Sequence, residues 1–503
     1  MNARLQNLTP EQRRLLAERL RKPLPPPAEP SISRRSQAEH NVLSFGQQRL
    51  WFIEQLTPGT AAYNVPSAVR LSGALDVDAL SRALEAIVRR HEVLRTTFRL
   101  IDGQPVPVVS PTWPNVLTRI DLTDRAGSTR EAELERLLEH EARRPFDLAR
   151  DIMLRALLIA VDSDEHVLLC VSHHIAWDPG SRAVFHNELE RLYEQFSHGT
   201  HDSLPELSIQ YADFAAWQRA RLQGETLSRL VDYWTGELKG ASASLDLPID
   251  RQRPAVSTQR GRKHLFELPA ETIAAAASFS ARAKATLFMS LQAAFNVFLA
   301  GRSGQTDLVL GSPISGRSRP ELEPLIGFFI NTLAWRTRLT TDQTFSDVVA
   351  SVRKSALGAY AHQDLPFEKL VEAIRPPRDR SRNPIFQVNF RFAQSVARPL
   401  ALIGLTVEPW HLVDTATSKF DLALDLAAAP GGVSYFEYNT DLFDHETVVQ
   451  MERDFLAVVD ELLSNANAPL ETLPVFCRLR AGEGSSRRAP RFSAPHRAPV
   501  QLS

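Results

Sequence analysis

Apolar positions along the chain switch between two periods. In DVDALSRALEAIVRRHEVLRTTF, Leu80, Leu84, Ile87 and Val88 recur at helical spacing, and SRAVFHNELERLYEQF joins that spacing to strong helix formers. AYNVPSAVRLSG reads as a strand, and MLRALLIAVDSDEHVLLCVSHH holds two apolar runs around Asp162-Ser163-Asp164, the pattern of an antiparallel hairpin. A polar, helical stretch over residues 205–240 follows, and then the theme returns. An alanine-rich helix near LFMSLQAAFNVFLAG, a strand DLVLGSPIS, a helix around FSDVVASVRKSALGAYAHQ, and strands NPIFQVNFRF and VSYFEYNTD make up the second half. The expectation is an α/β (α+β) sandwich built twice, with a boundary near residue 220.

The ends read differently. Thr9-Pro10-Glu11-Gln12 supplies an N-cap, a proline at the first helical position and a capping-box partner, opening a short helix with Leu15, Leu16 and Leu20. KPLPPPAEP stops it, and the prolines from Pro23 to Pro30 make a stiff linker, so residues 1–40 precede a folded body that begins near Asn41. A first lobe over 41–220 and a second over 221–477 are followed by a basic, proline-punctuated tail over 478–503 that is expected to be disordered.

Composition narrows the function. With 58 Lys+Arg against 59 Asp+Glu, charge gives no reason to expect a nucleic-acid or membrane partner. Cys170 and Cys477 are far apart and in no metal-ligand spacing, so neither a disulfide framework nor a metal site is expected, and a reducing cytoplasm fits. The N-terminus lacks the apolar core of a signal peptide, and no later segment offers about 18 uninterrupted apolar residues for a span. A soluble monomer is the expectation.

The candidate chemistry sits in CVSHHIAWDPGS. His173 and His174 end a strand, where neighbouring side chains face opposite ways, so one points in and the other out. Imidazole is suited to hold or accept a proton near neutral pH, and Asp178 could fix its tautomer or brace its loop. Taken alone, HxxxD recurs by chance, and a strand-end histidine is more often a satisfied polar residue than a catalyst.

Other segments change that balance. SFGQQRLWFIEQL at Ser44, RHEVLRTTF at Arg90, SHHIAWD at Ser172, YADFAAWQ at Tyr211, IGFFINTLAWR at Ile326, HQDLPFEKLVE at His362 and RSRNPIFQV at Arg380 occur in one order. Together they resemble the condensation domains of nonribosomal peptide synthetases over about residues 41–475. The resemblance implies two chloramphenicol-acetyltransferase-like lobes in a V, with the HHxxxDG motif at their interface in a tunnel open at both ends. A donor carrier protein would present an acyl thioester on its phosphopantetheine arm from one side. The acceptor, an aminoacyl carrier or a free amine or alcohol, would come from the other. No cofactor would be bound by this chain itself. His174 would lie nearest the reacting atoms, as general base or as the group that orients the amine and stabilises the tetrahedral intermediate; His173 would be mainly structural. Asp178 would form a structural salt bridge, with Arg95 the first candidate partner and Arg317 the second.

Where the family reads DGxS, this chain reads Asp178-Pro179-Gly180-Ser181. If the family glycine supplies positive φ or an N–H to the thioester oxygen, proline impairs the site; if the position opens a helix, proline suits it. Asp178 as N-cap favours the second case and an intact enzyme. Gly180 replaces what is often a bulky residue and would leave room beside His174. The paired histidines exclude the heterocyclising relatives, which carry two aspartates, and an EGHGRE segment of the epimerising relatives is not seen. QLTPGTAAYNVP and HQDLPFEKLVE resemble the subclass joining an L-configured donor to an L-configured acceptor. No carrier-type GGxS serine or adenylation loop is read, so a free-standing enzyme, or at most a terminal fragment, of a peptide or hybrid polyketide antibiotic pathway is expected, with amide and ester products both open. The rivals are a non-catalytic recruitment domain and a coenzyme A-dependent acyltransferase. Tyr360, Trp410 and Phe420 are tunnel-lining candidates, with core packing the commoner role for each.

Overall fold

The computed structural model describes residues 31–35, 42–125, 127–199, 204–242, 244–377, 379–393, 398–410, 413–429 and 432–482. The helix at Thr9, the prolines from Pro23 to Pro30 and the tail beyond 482 lie outside them.

The first half supplies β1 (Asn64–Ser72), β2 (Thr96–Ile101), β3 (Gln104–Val109), β4 (Leu117–Asp121), β5 (Leu154–Asp162) and β6 (Glu165–His173). The second supplies β7 (Gly261–Phe266), β8 (Asp307–Ile314), β9 (Asn331–Arg338), β10 (Val388–Ala393), β11 (Thr406–Pro409), β12 (Leu422–Ala427) and β13 (Ser434–Asn439). They form a five-stranded sheet in the order β11-β1-β6-β5-β4, a six-stranded sheet in the order β7-β13-β12-β10-β8-β9, and the separate hairpin β2-β3.

The predicted hairpin is β5-β6, paired antiparallel from Leu154↔Ser172 onward. Its apolar run is continuous because β6 is buried on both faces, from Val167 to His173. The helices Val77–Arg90 and Pro179–His198 carry the apolar stripes read from the sequence and bury Leu80, Leu84, Ile87 and Val88, and Phe185, Leu189 and Leu192. In the second half, Leu287–Ser303 is buried almost throughout and packs Phe295 and Phe298 against Phe390 and Phe455. Among the described residues no single helix is long and apolar enough to cross a membrane.

Two hydrophobic cores result, one for each larger sheet. Chain order and core order differ, however. β11 pairs antiparallel with β1, Val69 facing Pro409, and the first core includes Leu322, Ile326, Phe328, Phe329, Leu400 and Leu402 from the second half. Packing also reaches further at each end than expected. Ile32 is buried and Arg35 pairs with Glu92 and Asp213, both before Asn41, while the last helix, Pro474–Arg480, runs past residue 478. The mixed α/β fold is that of the acetyltransferase-like class expected.

Candidate active site at the end of β6

β6 delivers His173 in register with Asn64 of β1, and a single 3₁₀ turn, His174–Ala176, breaks the strand. The two imidazoles differ in exposure, although His174 lies in the turn and not on the strand, so the alternation expected of strand neighbours does not apply to it. His173 is 2% exposed, with the Phe146 ring 5.6 Å away and the Tyr63 ring 6.4 Å away. The Ile175 N–H donates to its Nδ1 at 3.2 Å, so a neutral His173 carries its proton on Nε2. His174 is half-buried, edge-on to Phe328 at 5.0 Å. Its Nδ1 lies 2.5 Å from the Trp177 carbonyl oxygen, which can only accept, so Nδ1 is the protonated nitrogen. Among the described residues Nε2 of His174 has no hydrogen-bond partner and keeps its lone pair. Burial, with the positive charge of Lys419 second, pushes both histidines down to about 3.

Asp178 caps the next helix with extended backbone (φ −136°, ψ 173°), and Pro179 occupies the first turn. That is the arrangement in which proline costs no intrahelical hydrogen bond. Both carboxylate oxygens are committed. Oδ1 accepts from the Ser181 N–H at 2.8 Å and from Arg317 Nη2 at 2.9 Å, and Oδ2 accepts from the Phe329 N–H at 3.1 Å. Asp178 touches neither histidine ring through these bonds; it fastens the loop to the 325–329 segment. Ser181 Oγ completes the clasp, accepting from the Gly327 N–H at 3.0 Å.

The partner of Asp178 is therefore Arg317, not Arg95. Arg95 sits beneath the β2-β3 hairpin, donating to the Ser110 and Arg89 carbonyls with the Trp113 ring 5.7 Å away. Arg317 is better placed because its Nη1 also donates to the carbonyls of Leu322 (2.6 Å) and Leu325 (2.7 Å), and its guanidinium lies 4.3 Å from the Phe329 ring centre. Gly180 opens no extra space, because a Cβ there would meet Arg317 Nε at 2.6 Å, so the place a side chain would take is filled by Arg317. Tyr360 is 36% exposed against Trp335, Trp410 lies under Arg70, and Phe420 stacks on Phe386. All three pack against neighbours, Tyr360 at the surface.

Residues not singled out as site residues in the sequence complete the framework. Tyr211 donates its OH to the Phe328 carbonyl at 2.8 Å and shares a hydrogen bond with Ser44 Oγ. Gln47 reaches the Ile175 carbonyl, and His91 accepts from the Ile326 N–H while bonding Glu188 on the helix behind the motif. Five of the seven segments thus meet around one loop. The signal was in the sequence as separate motifs, without the contacts that join them. A pocket of about 70 Å³ opens beside the site, lined by Gly46, Ser315, Gly316, Phe328 and Asn331 among others.

Comparison with known proteins gives the family. A component of linear gramicidin synthase from Brevibacillus parabrevis is 46% identical over 439 residues, which are 87% of this chain and 6% of that protein. Phosphinothricin tripeptide synthetase PhsC of Streptomyces viridochromogenes is 39% identical over 482 residues, 95% of this chain and 44% of that protein. The chain thus spans less than half the length of either relative. Among solved structures, the X-domain in its complex with OxyB from teicoplanin biosynthesis aligns with a TM-score of 0.80 at 30% identity, covering 89% of this chain and 98% of that one. The condensation-domain family matches residues 37–476, and the chain belongs to that family.

Proposed function

We propose that the chain is a condensation enzyme that transfers an acyl or peptidyl group from a carrier-protein phosphopantetheine thioester to an amine, giving an amide, or to an alcohol, giving an ester. The observation that carries the reading is His174: a neutral imidazole whose tautomer is fixed by the Trp177 carbonyl and whose Nε2 lone pair is left open. In the forward step the nucleophile's nitrogen or oxygen bonds to the thioester carbon, the carbonyl becomes an oxyanion, and collapse expels the pantetheine thiolate. The nucleophile's proton is then free to reach that sulfur. With its basicity held so low, His174 accepts a hydrogen bond from the incoming N–H or O–H and aligns its lone pair, but holds a full proton poorly. Of the two roles expected, orientation is the better supported.

Kinship to a domain solved in complex with OxyB keeps a recruitment role as the rival. The presence of His173, His174 and Asp178, with Asp178 fully hydrogen-bonded and the His174 tautomer fixed, favours catalysis. Intact-mass detection of product from a thioester-loaded carrier with a panel of amines and alcohols decides between them. The wild type is expected to form product and a folded His174→Ala variant to lose at least about 100-fold of the rate. Absence of turnover with every donor, together with partner binding indifferent to His174, would establish recruitment instead.

A further inference from the structure

Strand pairing places an ionic cluster on one face of the second sheet. Lys263 faces Glu437 across β7-β13, Tyr435 faces Asp425 across β13-β12, and Asp425 faces Arg391 across β12-β10. Directly paired residues and those two apart share a face, so these side chains line one side, while His264, Phe436, Leu424 and Phe390 turn to the other. Arg391 pairs with Asp425 by charge alone and donates a hydrogen bond to Glu437, both at 3.3 Å, and Lys263 rests 5.3 Å from the Tyr435 ring centre.

Lys419 enters this cluster from the segment preceding β12. Its ammonium lies 4.7 Å from the ring centre of Tyr63, and the Tyr63 carbonyl accepts from the His174 N–H at 2.8 Å. Among the described residues Lys419 has no ion-pair partner, and the cluster holds three cations, Lys263, Arg391 and Lys419, against two carboxylates, Asp425 and Glu437. Glu437 is held ionised by Arg391, with Lys263 and Lys419 adding to it, so this one carboxylate is shared among three cations. Burial, aided by the like charges of Arg391 and Lys263, pushes Lys419 down to about 8, although Glu437 opposes the shift. A desolvated cation crowded by other cations gains most from an incoming anion.

Resting on the condensation reading, we propose that Lys419 receives a substrate carboxylate, making this site selective for an amino-acid donor or acceptor that carries an acidic group. The phosphate of the pantetheine arm is a poor candidate for this place, because the arm's length separates it from the thioester that must reach His174.

Binding separates this proposal from the reaction itself. Calorimetric titration with unreactive pantetheine amides of glutamate and glutamine would be run with the free amine, as acceptor mimics, and N-acetylated, as donor mimics. In one of the two pairs the wild type is expected to bind the glutamate compound about ten-fold tighter than its glutamine twin. Lys419→Met should remove that preference without weakening the glutamine compound, and Lys419→Arg should retain it. Equal binding of the twins by the wild type, or equal weakening of both by Lys419→Met, would overturn the proposal, and the wild-type comparison decides even if a variant misfolds. A preserved glutamate preference without any turnover would sink the condensation reading and leave this one standing; turnover without preference would do the reverse.

Discussion

Asp178 and Arg317 set the energetics of the loop more than its chemistry. Both are almost fully buried, so removing one strands the other's charge: Asp178→Asn or Arg317→Met should cost about 3–5 kcal/mol in urea unfolding, whereas Arg95→Met, which loses bonds to carbonyls and a ring contact but leaves no charge stranded, should cost about 1 kcal/mol. The histidines leave a different signature. Folded, each is held down to about 3; unfolded, each returns to about 6.5. Between those values the unfolded chain binds protons that the folded one refuses, so stability falls as pH drops from 7 toward 4. The slope of unfolding free energy against pH should lessen by about one proton in His174→Ala. The sequence named His173, His174 and Asp178 but ranked Arg95 above Arg317, because an arginine's partner depends on which loops converge, and Arg317 lies 139 positions from Asp178 in the chain.

Helices and strands were the most legible level, because burial imposes its period on the sequence directly. The continuous run of β6 and the stripe of Val77–Arg90 could be read without knowing their neighbours. The short hairpin β2-β3 was less readable: Leu100 and Ile101 are exposed, and Pro105 and Pro107 interrupt β3. The helix beginning at Pro179 offers a test of sign. Glycine to alanine within a helix ordinarily stabilises by about 0.5–1 kcal/mol. Gly180→Ala should instead destabilise, since the new Cβ meets an Arg317 held by two carbonyls and a carboxylate, and the sign should revert in an Arg317→Ala background. Pro179→Gly should lower stability by only about 0.5–1 kcal/mol while preserving turnover, as measured by melting and product formation, because the proline's fixed φ already suits the first turn.

At the scale of the molecule, the first half is not self-sufficient. The first sheet takes its edge strand from residues 406–409, and Phe328 and Phe329, which close the first core, come from the second half. A polypeptide of residues 1–260 should therefore show little native near-ultraviolet dichroism, and adding the remainder in trans should restore part of it. No hydrophobic pattern in TVEP could have announced this role, because a four-residue edge strand with one half-buried side chain carries almost no periodic signal. The same strand sets a rule for recombination between relatives. A hybrid joined once, between the two sequence halves, would inherit β1 from one parent and its β11 neighbour from the other. To exchange a whole lobe, the graft must be discontinuous, with the stretch carrying Leu400, Leu402 and β11 travelling alongside the first 200-odd residues it completes.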